Sequence, residues 1–134
     1  MTESPTTQKK VVLICTCSGS CPSMASIDFW TLAERVRLEL AEDVHFLLLH
    51  PRLCEEDGER LMAHILGNDI LAITHACAEK RQEKLLRDGF RKAGVPMDAI
   101  HWMPVSMAQE DTDTVFEKIK TAVRRQPSPA GKEA

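Results

Sequence analysis

Short, unbroken apolar runs alternate four times along this chain with longer stretches in which apolar residues recur every three or four positions. The first run, Val11-Val12-Leu13-Ile14-Cys15, is continuous and opens on β-branched residues, as a strand covered on both faces would be. Residues 28–42 then place Phe29, Ala33, Val36 and Leu40 on one helical stripe. The second run spans Val44 to Leu49 and is closed by His50-Pro51. A helix from about Glu55 turns Leu61, Ile65 and Leu66 inward, with Gly67 as its stop. Run three is Ile70 to Thr74, and its helix, Glu79 to Ala93, puts Leu85, Leu86, Phe90 and Ala93 on one side before Gly94. In run four, Ile100 to Val105, Pro104 removes a backbone donor and marks an edge strand or an early strand end. The last helix, Thr112 to Arg125, carries Val115, Phe116, Ile119, Ala122 and Val123.

Strict β-α alternation predicts an α/β fold, with a four-stranded parallel sheet and helices on both faces. Right-handed crossovers leave few topologies, and strand order 2-1-3-4, flavodoxin-like or Rossmann-like, is the expected one. A length of 134 residues suits one domain. That domain is placed at residues 10–125. Residues 1–9 read as a flexible polar segment, and 126–134 (QPSPAGKEA) as a disordered tail.

A net charge of −3 makes nucleic-acid binding through a basic surface a poor first expectation. Arg124-Arg125, at the end of the last helix, complements the helix dipole. No apolar run approaches the roughly 20 residues that span a bilayer, and Met1 to Lys10 lacks a signal-peptide core. The expectation is a cytoplasmic protein with no membrane span and no nucleic-acid partner. Thiols stay reduced there, so five cysteines, an odd number, argue for metal binding, redox chemistry or core filling over a disulfide framework.

Their positions sharpen that choice. Cys15 and Cys17 fall at the end of strand 1, Cys54 just beyond strand 2 and Cys77 just beyond strand 3. In the expected fold these three strands are neighbours, and their carboxyl ends face one crevice, where open α/β sheets bind ligands. A single cysteine at a strand end is commonly buried filler; four at three adjacent ends are harder to read that way. Soft thiolates select zinc or iron–sulfur clusters. Structural zinc favours paired C-x2-4-C knuckles, whereas here only Cys15-Thr16-Cys17 and Cys17-x3-Cys21 are close and Cys54 and Cys77 stand alone. A cluster accepts ligands from scattered loops more readily than one ion does. A zinc-binding domain stays as an alternative.

Three segments carry a family resemblance. Val12-Leu13-Ile14-Cys15-Thr16-Cys17-Ser18 resembles the strand-plus-C-x-C opening of the N-terminal iron–sulfur domain in the HdrA-like family of heterodisulfide reductases. Leu53-Cys54-Glu55-Glu56-Asp57-Gly58-Glu59 resembles that family's Cys-Ser-Asp-Pro-Gly-Gln segment, and Ala76-Cys77 through Glu83 its Cys-Ser-Pro-Arg-x-His-Glu segment. Order and spacing match over roughly residues 10–105. The resemblance implies a cluster, of the 4Fe-4S type, held at Cys15, Cys17, Cys54 and Cys77. It also implies a non-catalytic electron-transfer role beside a flavoprotein or other subunits of a redox complex. Departures are specific: Glu79 stands where the family has Pro, Gln82 where it has His, and Ser106 to Glu110 replace a segment with Arg, Cys and Trp. No G-x-G-x-x-G and no C-x2-C-x2-C-x3-C-P run is present, so no flavin site is carried over. Cys21 is an additional candidate ligand, able to replace Cys15 or Cys17.

Other features have competing readings. The Ser18-Gly19-Ser20-Cys21-Pro22-Ser23 loop has the composition of a phosphate-cradling nest. It resembles phosphotransferase-system IIB domains and low-molecular-weight phosphatases, but the arginine that phosphatases place six residues after the cysteine is missing: Cys21 and Ser23 stand there instead. The second alternative is thus a thiol-based redox or phosphate-loop enzyme, with a nucleophilic cysteine such as Cys17 after strand 1. His50 and His75, at strand ends, read as backbone caps or thiolate neighbours before ligands. Trp30 and Trp102 are core or partner-facing. Glu79-Lys80-Arg81 and Arg87-Asp88 read as solvated helix faces. Glu55-Glu56-Asp57 would steer a basic partner or simply favour a helix start.

Overall fold

The computed structural model describes residues 8–17 and 22–125, and of Ser23 only the backbone. The segments 1–7 and 126–134, and with them most of the two expected tails, lie outside the described residues. So do residues 18–21, which include Cys21 and most of the expected phosphate-cradling loop. Strand β1 (Lys9–Cys15) leads through a 3-10 turn at Pro22–Met24 to α1 (Phe29–Glu39). There follow β2 (Phe46–His50), α2 (Glu56–Ile65), β3 (Ile70–Ala76), α3 (Glu79–Ala93), β4 (Trp102–Ser106) and α4 (Thr112–Arg124). All strand pairs are parallel, in the order β2-β1-β3-β4. The α/β fold read from the apolar pattern is the fold of the protein.

Alternation along the central strands divides the core into two layers. Val12 and Ile14 of β1 and Leu71 and Ile73 of β3 pack with Leu32 and Val36 of α1 and Phe116 and Ile119 of α4. Val11, Leu13 and Cys15, with Ala72 and Ala76, face Met62 of α2 and Leu86 and Phe90 of α3. Arg35 lies 4.0 Å over the Phe116 ring and also reaches Asp113 at 2.7 Å, fastening α1 to α4. Pro104 sits within β4, which is an edge strand, so its missing donor leaves no inner ladder bond unmade.

Boundaries shifted where side-chain chemistry competed with hydrophobic pattern. Asp28 caps α1, its carboxylate accepting from the Thr31 N–H at 3.1 Å. That helix ends at Glu39, three residues before the expected Glu42, and Ala41 to Asp43 form a turn. Asp111 caps α4 in the same way, through the Thr114 N–H at 2.8 Å. Along α2 and its C-cap the buried positions are Gly58, Met62 and, as expected, Leu66, while Leu61 and Ile65 are only half-buried and Met62 takes the central place on the inward stripe. Gly94 closes α3 with φ of 72°, a left-handed cap that glycine adopts without strain. Trp30 is 81% exposed, while Trp102 packs edge-on to Phe90.

Candidate functional site

Placing β1 between β2 and β3 brings three strand ends to one edge. Cys15 is opposite His50 across the β1–β2 pair, and Ile14 is opposite His75 across the β1–β3 pair. Just beyond that edge lies a cleft of about 510 Å³. Cys15, Cys17, Cys54 and Cys77 all line it, together with Arg52, Arg81 and apolar residues that include Met24 and Leu85. Its volume lies within the range of small-molecule sites.

The four thiols arrive by different routes. Cys15 is buried at the end of β1, on the α2/α3 side, with Sγ 3.8 Å from the Pro51 carbonyl oxygen. Two residues on, Cys17 is half-buried and packs against the α1/α4 layer. Its φ of 53° lies in the left-handed region, which a residue with a Cβ adopts at a cost of about 1 kcal/mol or more. Such strain concentrates at functional sites, because surrounding structure must hold it.

Cys54 is positioned by a turn fastened on both sides. Leu53 is buried in the α2/α3 core, and the His50 ring accepts the Arg52 N–H at Nδ1, 2.9 Å away. Gly58, in the first turn of α2, lies directly against the Leu53 backbone, where a Cβ has no room. His50 therefore acts as a backbone cap, one of the readings expected of it. The acidic trio beside it is largely engaged inside the chain. Glu55 pairs with Arg52 at 3.4 Å and Asp57 with His50 at 3.3 Å.

Cys77 follows β3 directly and is tied down by a buried polar chain. Trp102 Nε1 donates to Thr74 Oγ1 at 2.9 Å, and Thr74 Oγ1 donates to Gln82 Oε1 at 2.6 Å. Gln82 Nε2 then donates to the Cys77 carbonyl at 2.7 Å and the Val105 carbonyl at 3.0 Å. Gln82, 1% exposed, is thus fully used. It joins the Cys77 loop to β3, β4 and α3. Sequence reasoning registered Gln82 only as a departure from a family pattern; the signal available was a neutral amide on the apolar side of a charged helix. Replacing it with methionine, equal in length but unable to donate, strands two carbonyls and the Thr74 hydroxyl. Gln82→Met should lower stability by about 3 kcal/mol, read as the urea midpoint at constant slope. A loss under about 1 kcal/mol would show that the chain of bonds contributes little.

Burial pushes the Cys54 thiol above its ordinary range, and the neighbouring Cys15 adds to the shift. Burial does the same to Cys77; Arg81 pulls the other way, and Cys15 and Cys54 raise it further. Each thiolate is thus disfavoured by desolvation and by the others' charge. A cation held between them removes both penalties at once, releasing protons as it binds. Soft thiolates gathered on one cleft are the donor type that iron–sulfur clusters and zinc take. Among the described residues no three of His, Cys, Asp or Glu come together closely enough to hold one metal ion. The thiols line the cleft walls rather than meet at one point.

His75 is not in this set. It is fully buried on the α1/α4 side of β3 between Ile14 and Val105, and neither ring nitrogen has a hydrogen-bond partner. No described helix is long and apolar enough to cross a membrane. Comparison with family models and with curated proteins finds no match for this chain.

Proposed function

We propose that the chain holds an iron–sulfur cluster, of the 4Fe-4S type, through Cys15, Cys17, Cys54 and Cys77. It would serve as an electron-transfer module beside a flavoprotein or other subunits of a heterodisulfide-reductase-like redox complex. One observation carries the reading: four thiols from three adjacent strand ends line a single cleft at the carboxyl edge of the sheet. When bound, the cluster supplies a one-electron couple tuned by burial and by hydrogen bonds to its sulfurs. The chain's own contribution is to hold the thiols. Strand β1 fixes Cys15, the Leu53–Gly58 packing fixes Cys54, and Gln82 fixes Cys77. Apolar residues such as Met24, Leu85 and Leu86 keep water from the inner wall. Raised thiol pKa values make Cys54 and Cys77 poor nucleophiles at neutral pH, which weighs against thiol catalysis there.

The test is iron and acid-labile sulfide analysis after anaerobic reconstitution, with absorbance and electron paramagnetic resonance. The expected result is about four iron and four sulfide per chain, as for a cubane cluster. Zinc bound in place of iron, or no metal with every thiol open to alkylation, would overturn the reading.

A further inference from the structure

The half of α3 beside the cysteine cleft carries charge that the helix does not need; of its cations Arg81 lines the cleft itself, and Lys80, Lys84 and Arg87 line the groove next to it. Lys80, Arg81, Lys84 and Arg87 are all exposed, and none forms an ion pair with a described residue. They outnumber Glu79 and Glu83 in the same stretch. Lys80 and Arg81 stand in the first turn, where the helix dipole disfavours cations. Lys80 and Lys84 are four apart, a like-charge spacing that destabilises a helix. The last turns of α3 are built the opposite way. There Arg91 and Lys92 complement the dipole and pair with Asp88 and Glu59, both at 2.9 Å. The uncompensated cations therefore cluster on the half of α3 that borders the thiols.

A surface groove of about 800 Å³ runs along this half and shares Ala78, Arg81 and Leu85 with the cysteine cleft. From Lys80 to Arg87 the cations extend about 10 Å along the helix axis, too far for one small anion to bridge. The chain as a whole is acidic, with a net charge of −3, so this stripe is a local reversal of sign. Such a reversal orients an incoming protein rather than attracting polyanions everywhere.

We propose that the solvent face of α3 between Lys80 and Arg87 is the docking surface for an acidic protein, seated across the mouth of the cysteine cleft. That the partner is a redox protein rests on the cluster reading above; the surface itself rests on charge and position alone. This direction of complementarity is opposite to the one suggested by the Glu55-Glu56-Asp57 run, whose Glu55 and Asp57 pair within the chain.

The experiment uses the full chain, isotope-labelled, titrated with an acidic plant-type ferredoxin and, separately, with basic cytochrome c, at low and high salt. Amide shifts with ferredoxin should map to residues 79–87 and the cleft rim, and binding should weaken at high salt, where screening lengths fall below about 8 Å. In Lys84→Glu/Arg87→Glu, ferredoxin binding should weaken at least tenfold at low salt, with Lys84→Gln/Arg87→Gln intermediate. Circular dichroism confirms that each variant is folded. Shifts centred on α2, tighter binding of cytochrome c, or an unchanged ferredoxin affinity in both variants would overturn the docking surface. Running the titration with and without iron separates the two readings. Docking on α3 by a chain that binds no iron would sink the cluster and leave the surface standing.

Discussion

Replacing Cys54 or Cys77 with serine should abolish cluster absorbance after reconstitution while the protein remains folded. Both residues stand on loops outside the ladder and are half-buried against the α2/α3 core, where the smaller serine keeps the backbone in place at a modest packing cost. The loss would come from chemistry: a serine hydroxyl is a harder and far less acidic ligand than a thiol. Each is the sole cysteine contributed by its strand end, so no neighbour can substitute. The β1 end is different, because Cys15, Cys17 and Cys21 lie within seven residues. Cys21→Ser is expected to retain full iron content. Cys15→Ser carries a second cost, since this thiol is buried in the α2/α3 core. Iron per chain, absorbance near 400 nm and far-ultraviolet circular dichroism on the five single variants decide the ligand set. Equal iron loss in Cys21→Ser would make Cys21 a ligand and demote Cys15. Unchanged iron in Cys54→Ser or Cys77→Ser would dismantle the four-cysteine site.

The parts legible in the sequence were those set by periodicity. Val11 to Cys15 could be read as a fully covered strand because nothing polar interrupts it, and alternation with right-handed crossovers left few topologies, of which the expected 2-1-3-4 order is the one observed. That order then brought cysteines 37 and 23 residues apart to one cleft. What remained hidden depended on side-chain direction and local bonding. Nothing in the spacing shows that Cys15 and Cys17, two residues apart, pack against opposite layers. The left-handed backbone at Cys17 breaks the simple alternation of a strand. The role of Gln82 was hidden for another reason. Its value lies in meeting Thr74, Cys77 and Val105 at once, and those partners come together only when α3 is laid on the sheet. The charges of α3 were visible as letters, but only the placement of the cleft gives them a side.

Acidification should destabilise this fold through one residue, His75, before its carboxylate caps titrate. Burial holds the His75 imidazole neutral and drops its pKa from 6.5 to about 3, outweighing the nearby Leu13 and Ile73 backbone groups, which favour the proton but lie outside good hydrogen-bond geometry. The unfolded chain takes up that proton near pH 6.5, whereas the folded chain resists it until about pH 3. Between those limits the unfolded state binds more protons, so stability rises with pH and falls on acidification. The full loss from pH 7 to pH 3 is up to about 5 kcal/mol, a large share of a typical domain's stability. Asp28 and Asp111, whose carboxylates lie below the usual range because they accept backbone N–H bonds at the starts of α1 and α4, begin to add losses as pH falls to their unfolded value of 3.8, at the acid end of the same interval. The decisive comparison is His75→Met, which fills similar space without a titrating group. It should match or exceed the parent at pH 7, since it also removes two unpartnered buried nitrogens. Its advantage should then widen by a few kcal/mol between pH 6.5 and pH 4, measured by urea unfolding of the metal-free chain to avoid proton release from the thiols. Parallel stability curves for parent and variant across that interval would show that His75 finds a proton acceptor or water in the folded protein and is not held neutral.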